Sequence, residues 1–415
     1  MQNRLRWKAY LLITLLALVS VRVAASQPDD LRINVLLTGR VTERHLISSW
    51  FRNEPLIDPL LVPSRGVAGG ESQIRKFIRV YFPRNYETVK SQDFMVFAGT
   101  IMNMFTPTQH KWMHDAVLEG TGGLNSRSVL SGIYYPEWAV TSTQKAFPND
   151  VEALLASPSE IHRSGCDLEI IVRTDLPPVF SMFIDKKIRW RLTDYSCGRV
   201  IPREGATIWM WLKGPFADLS TIKPDSTPHT ISWRYGEGLT WTCHDRLVNW
   251  WQDPIANPYG LDMIMNMILH STGRSLPDDV EIVHDIRSKV VDFNTRMILL
   301  LGTIEFAESF GANMAPVFDG MDDVMDSKGE ADGMYLGQDY ERAWSAYRQC
   351  IQELQDLNDV AMERKDRALI WIYLVQWLVV SATLLVAGFF LWSVMIRRRL
   401  YREVSHTSFR RTGTE

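Results

Sequence analysis

The chain is poor in cysteine, with four in 415 residues. It has no Asn-x-Ser/Thr sequon, because at Asn125 and Asn294 the hydroxyl residue comes one place too early. A heavily N-glycosylated surface is therefore excluded. There is no excess of positive charge either: 45 Lys and Arg stand against 48 Asp and Glu, a net charge of −3. That balance excludes a generally basic nucleic-acid binder. No internal repeat and no low-complexity tract is found. With 46% hydrophobic and 22% charged residues, wholesale disorder, collagen-like and repeat-coil architectures are ruled out. The length allows about two or three domains and a sizeable core.

The two ends differ from the middle. Arg4, Arg6 and Lys8 precede an uncharged apolar run from Ala9 to Val21, with small residues at Val23-Ala24-Ala25. A positive, then apolar, then small-residue pattern is that of a secretory signal, so residues 1–25 are expected to be a signal peptide. An uncleaved anchor is the alternative, because Arg22 interrupts the cleavage region. At the other end, residues 368–396 carry no charge, and Gln376 is the one strongly polar side chain. A helix needs ~20 apolar residues to cross a bilayer core. Trp371, Tyr373, Trp377 and Trp392 sit toward its ends, where amphipathic rings favour the interface. Arg397, Arg398, Arg399, Arg402, Arg410 and Arg411 follow, and positive flanks stay cytoplasmic. The expectation is a type I single-pass protein of the cell membrane, with residues 26–367 outside and a basic tail, 397–415, inside. Ten of the basic residues and two of the acidic ones lie in these ends, so the outer part is acidic and disfavours nucleic acid or anionic lipid as a docking surface. All four cysteines fall in it, where disulfides persist. Four cysteines allow three connectivities, and Cys166 with Cys197, flanking one strand-rich stretch, is the expected pair.

Along residues 31–275 the pattern is α/β. Leu31–Thr38 reads as a strand running into Gly39, and Phe94–Ala98 is a continuous apolar run of the kind buried in parallel sheets. Thr106-Pro107 supplies an N-cap and a first-turn proline for a helix that stops at Gly120. Strand-like runs recur at Leu168–Val172, Val179–Ile184, Ala206–Leu212, Ile231–Trp233 and Leu239–Thr242, and seven of the fifteen tryptophans fall between Trp190 and Trp251. Asn257-Pro258 is expected to cap a helix with Leu261, Ile264, Met265, Ile268 and Leu269 on one face, ended by Gly273. Residues 276–367 read as a helical stalk of two amphipathic helices, joined by an acidic loop holding Asp319, Asp322, Asp323, Asp326, Glu330 and Asp332. The second helix is expected to run on into the membrane.

Asp93–Asn125, with its strand, Thr-Pro-Thr-Gln turn, amphipathic helix and Glu-Gly-Thr-Gly-Gly-Leu ending, resembles the glutamine amidotransferase-like (class I, ThuA-type) fold. Arg234–Gly238, the strand after it, His244-Asp245 and Asn249-Trp250-Trp251 resemble the closing strand and helix of its membrane-associated members. The resemblance covers roughly residues 31–275. It implies a Rossmann/flavodoxin-like sheet with a β-rich insertion. Active members place a nucleophilic cysteine in a Gly-x-Cys-x-Gly elbow, whereas the cysteines here sit in Ser-Gly-Cys-Asp, Tyr-Ser-Cys-Gly, Trp-Thr-Cys-His and Arg-Gln-Cys-Ile. The resemblance thus implies a non-catalytic member. A membrane-anchored subunit of the eukaryotic oligosaccharyltransferase is similar in plan and is likewise a non-catalytic part of a complex.

The candidate sites are few. Cys243-His244-Asp245 has the residue types of a thiol triad, but neighbours on a strand point to opposite faces, so a structural role or a disulfide is expected. Ser126 is a candidate surrogate nucleophile and His244 and Asp245 are further catalytic candidates, although small polar residues also simply end strands at such turns. His110 and His114 are one helical turn apart, as zinc ligands are, but position 111 is Lys where a His-Glu-x-x-His motif has Glu, and no third ligand follows, so solvated surface histidines are expected. The acidic loop lacks EF-hand spacing and is expected to be a solvated linker rather than a calcium site. The tryptophan-rich stretch could stack sugars. Trp209 and Trp211, alternating with Ile208 and Met210, instead suggest a sheet buried on both sides. No cofactor is expected. The leading expectation is a subunit or scaffold of a membrane complex, with a protein partner bound through the stalk and membrane helices and no nucleic acid. The alternatives are an extracellular hydrolase and a ligand- or carbohydrate-binding sensor.

Overall fold

The computed structural model describes residues 31–41, 46–66, 70–126, 141–152, 167–193, 200–214 and 226–408. The expected signal peptide and the pair Cys166 and Cys197 lie outside them. The chain divides into two units. The first runs to Val291 and takes back Lys328–Arg348, and the second comprises Asp292–Ser327 and the chain from Gln349 on.

The first unit is built on one mixed sheet. Its parallel half alternates strand and helix: β1 (Ile33–Gly39), α1 (Leu46–Asn53), β2 (Ile57–Pro63), α2 (Gly70–Tyr81), α3 (Tyr86–Lys90), β3 (Phe94–Ala98), α4 (Pro107–Leu118) and β4 (Gly122–Asn125). A short helix, α5 (Ser142–Lys145), leads toward β5 (Asp167–Val172), β6 (Arg191–Thr193), β7 (Thr207–Lys213), β8 (Ser226–Tyr235) and β9 (Gly238–Cys243). The strand order is β2-β1-β3-β4-β9-β8-β7-β5-β6. Pairs from β2 to β9 are parallel, and those from β9 to β6 antiparallel.

Local sequence explains the main elements. All five residues of β3 are buried, because a parallel strand is covered on both faces. Met95 and Phe97 join Leu36, Ile78, Met113 and Phe147 in one core under α2, α4 and α5. Thr106 caps α4 reciprocally: its hydroxyl accepts from Gln109 N, and Gln109 Oε1 accepts from Thr106 N at 2.9 Å. On β1, Gly39 has φ +123°, and a Cβ there would come within 2.1 Å of Ala98 O, so only glycine lets β1 end this close to β3. The next helix, α6 (Gly260–Ser271), lies against β4 and β9, and Trp241 Nε1 donates to Ser271 Oγ at 2.7 Å.

Four local expectations are corrected. Val179–Ile184 is no strand. After Pro177-Pro178, which remove two backbone donors, the chain turns into a 3₁₀ turn at Ser181–Phe183, and Phe180 packs edge-on against Trp209, Trp241 and Trp251. Helix α6 is not capped by Asn257. Its N-cap is Tyr259, without a side-chain bond, and Gly260 admits the close approach of Trp251 O. In β7 the alternation of Trp209 and Trp211 is broken by a bulge: Trp209 and Met210 are both buried, while Ile208 and Trp211 are half-buried. Finally, the acidic stretch is not a loop. It is helix α8 (Ala315–Leu336), whose Val317, Val324 and Ala331, seven residues apart, are buried while most of its carboxylates face out.

Helix α7 (Val280–Ser309) begins in the first unit, where Arg287, 7% exposed, donates from Nε to Glu54 Oε2 at 2.7 Å and from Nη1 to Asp262 Oδ1 at 2.6 Å. His284 Nδ1 holds the other oxygen of Asp262 at 2.8 Å. Helix α9 (Tyr340–Ser408) has 69 residues, ~100 Å at 1.5 Å per residue. Tyr347, near its start, donates to Asp332, which also takes Lys328 Nζ at 2.6 Å. Farther on, Trp371, Trp377, Leu385, Phe390 and Trp392 are all exposed. This is the one helix among the described residues long and apolar enough to cross a membrane.

Candidate functional site

In an open α/β sheet, ligands bind beyond the carboxyl ends of the parallel strands. At that edge the present sheet gathers small polar side chains. Thr38, at the end of β1, and Thr100, just past β3, face each other with hydroxyls 2.8 Å apart, and Thr100 donates to Thr38 O. Ser126 follows β4 and is buried. Its hydroxyl donates to Phe97 O at 3.1 Å and accepts from Gly99 N at 3.3 Å, which ties the ends of β3 and β4 together. Next to it, Asn125 and Thr242 are register partners on β4 and β9, so their side chains share a face. Both are 0% exposed. Neither amide atom of Asn125 nor the Thr242 hydroxyl has a hydrogen-bond partner among the described residues. Buried polar groups are nearly always satisfied, which makes this pair a candidate polar contact at the strand ends.

Beyond β9 lies a buried histidine–carboxylate group that sequence reasoning missed in part. Asp245 accepts from Trp251 Nε1 at 2.8 Å, and His229 Nε2 stands 3.2 Å from the same oxygen without hydrogen-bond alignment. The His229 ring stacks on Trp251 with centroids 5.8 Å apart and lies 6.3 Å from that of His244, whose backbone N donates to His229 O. His229 owes its place to a bulge, because the β7–β8 register skips from Thr230 to Pro228. Proline in a central strand marks such a site, and Pro228 was the available signal.

Cys243 is fully buried, beside the Thr230 hydroxyl at 3.9 Å. Burial, and then the Asp245 charge, push its thiol well above the ordinary value. A buried thiol raised in this way is a poor nucleophile. His110 and His114 do not meet at a metal. His110 is buried, not solvated as expected. Its Nε2 faces Met102 O at 3.0 Å and its Nδ1 the Thr143 hydroxyl at 2.8 Å, and burial lowers its pKa to about 4. His114 turns to Asp115 and to the Tyr235 hydroxyl, each at 2.8 Å. Among the described residues no cluster of His, Cys, Asp and Glu is placed to hold a metal ion. Of the seven tryptophans between Trp190 and Trp251, four fill the core: Trp209, Trp241, Trp250 and Trp251 are buried. A groove of about 270 Å³ opens beside Trp250, lined by Arg191, Leu192, Val248, Asn249 and Asp253.

No family model and no curated protein matches the chain. Among solved structures it is similar to cytoplasmic protein STM3548 from Salmonella typhimurium, at 12% identity and a TM-score of 0.42, over 57% of this chain and 98% of that one. It is also similar to cytoplasmic protein STM1381 from Salmonella typhimurium LT2, at 14% identity and a TM-score of 0.37, over 58% of this chain and 99% of that one.

Proposed function

We propose that the chain is a type I single-pass membrane protein whose α/β body is a catalytically inactive amidotransferase-like (class I, ThuA-type) module, working as a subunit or scaffold of a membrane complex. The order β2-β1-β3-β4-β9 of the parallel half supports the fold part of this reading, being that of a flavodoxin-like sheet. The observation that carries the inactive part is the state of the two nucleophile candidates. The Ser126 hydroxyl is spent on Phe97 O and Gly99 N, and Cys243 is buried with a raised pKa. Asn125 and Thr242, at the strand ends, are buried and can bind polar groups. The 69-residue helix α9 supports the membrane part.

The test is purification of the full-length protein from its native membrane in gentle detergent, with mass spectrometry and measurement of particle mass. A membrane protein present at fixed stoichiometry is expected. A monomer that brings nothing with it would sink the subunit reading. A hydrolase would require Ser126 and His244, and unchanged turnover in Ser126→Ala and His244→Ala would dispose of it. The groove beside Trp250 favours, as a second reading, a ligand sensor. Tryptophan fluorescence should then saturate with some member of a saccharide panel, and a flat response across the panel would remove that reading.

A further inference from the structure

The second unit contains an apolar tip whose position follows from three contacts. Arg296, on α7, donates to Gln355 Oε1 on α9 at 3.4 Å. Arg364, on α9, donates to Asn313 O in the turn between α7 and α8 at 2.9 Å. Gly320, on α8, faces Leu357 so closely that a Cβ would come within 2.8 Å of Leu357 Cδ1. Seven residues separate Asn313 from Gly320 and seven separate Arg364 from Leu357, so α8 returns antiparallel to α9 and in step with it. Helix α7 runs the other way, along α9 toward the apolar stretch. Phe310 lies fourteen residues past Arg296, ~21 Å at 1.5 Å per residue. Counted from Arg296 that is the level α9 reaches at about residue 369, and the Asn313 contact marks Arg364, so the turn lies within about one helical turn of residue 368, where the uncharged stretch begins.

The chemistry of the tip matches that level. Between Glu308 and Asp319 ten successive residues carry no charge, although α8 beyond them is crowded with carboxylates. Phe306 and Phe310 are 49% and 37% exposed and pack edge to face with centroids 4.8 Å apart. Ala315 and Pro316 are exposed beside them. Just beyond that level α9 displays Trp371 and Tyr373, 66% and 63% exposed. Aromatic side chains at this depth gain by entering the boundary between headgroups and acyl chains. The acidic face farther up α8 would be repelled by anionic headgroups, which limits the contact to the tip.

We infer that the α7–α8 turn, led by Phe306 and Phe310, dips into the outer interface of the bilayer and forms a second membrane contact beside the span. The inference rests on residues 368–396 crossing a membrane. The occupant is lipid, because the tip ends within about one helical turn of where the span begins and, from Ser309 to Phe318, carries no charge to pair with a soluble partner.

The experiment uses full-length protein in phosphatidylcholine vesicles, with the photoreactive phenylalanine analogue p-benzoylphenylalanine placed singly by Phe310→p-benzoylphenylalanine, Trp377→p-benzoylphenylalanine or Asp322→p-benzoylphenylalanine. After illumination, mass spectrometry reads lipid adducts. Adducts at 310 and 377 in comparable yield, with position 322 at background, are expected. Adducts at 377 with none at 310 would overturn the inference while leaving the span intact. Cross-linking of position 310 to a second copy of the chain in place of lipid would also overturn it. Absence of adducts at both 310 and 377 would overturn the span and the tip together.

Discussion

His110 uses both ring nitrogens inside the protein, and burial lowers its pKa to about 4. An unfolded histidine titrates at ~6.5. Between these values the unfolded chain binds a proton that the folded chain refuses, so the stability due to the neutral ring is complete above pH ~6.5 and is lost as the pH falls toward 4. The loss amounts to about 3 kcal/mol. His110→Gln keeps an N–H donor for Met102 O but does not titrate. Thermal melts from pH 7 to 4.5 should therefore fall less steeply for the variant, and parallel curves would refute the assignment. Cys243 makes a second residue-scale prediction. A buried, protonated thiol reacts slowly, so iodoacetamide at pH 8 should leave Cys243 unmodified in native protein and modify it after denaturation, as read by peptide mass. Rapid native alkylation would overturn the structural role and reopen a thiol mechanism.

Among the elements, α7 is joined to the sheet domain by the Arg287 pair with Glu54 and Asp262. Removing only the guanidinium, as in Arg287→Met, strands two buried carboxylates and should cost ~3–5 kcal/mol. Replacing all three by apolar residues of similar volume should cost far less. Denaturant titration of the detergent-solubilised protein separates the two, and equal losses would show that the cluster adds no charge-specific term. Nothing local announces this contact, because Glu54 and Arg287 lie 233 positions apart. Elements whose burial is written in consecutive residues were legible: the all-apolar β3, and α4 between Thr106-Pro107 and Gly120. Elements whose signal competes with composition were not. In α8 the carboxylates concealed a seven-residue apolar repeat at Val317, Val324 and Ala331. Ser126, His244 and Asp245 were legible as polar residues near strand ends, but the unpartnered pair Asn125 and Thr242 exists only through the β4–β9 register. His229 enters only through the bulge opposite β7.

For the whole molecule, the decisive property is that one helix is buried near its start and bare along its apolar stretch. The first turns of α9 are held in the first unit, where Ala343 and Tyr347 are buried, and their side chains lose apolar area to protein. From Ile370 to Ile396 the large apolar side chains other than Ile372 are exposed, and in water each would forgo roughly 1.5–3 kcal/mol of burial. A run of this size is not left bare in water, and in the proposed span a bilayer would cover it without any further fold. The full-length chain should accordingly stay with membranes through alkaline carbonate extraction, whereas a chain ending at Arg367 should be released. The tip at Phe306 and Phe310 adds too little apolar area to hold the shortened chain by itself, as a single short anchor binds reversibly. Release of both chains by carbonate would show that the exposed run of α9 is covered by protein instead of lipid, and would move the search for its partner from the bilayer to a helical groove in another subunit.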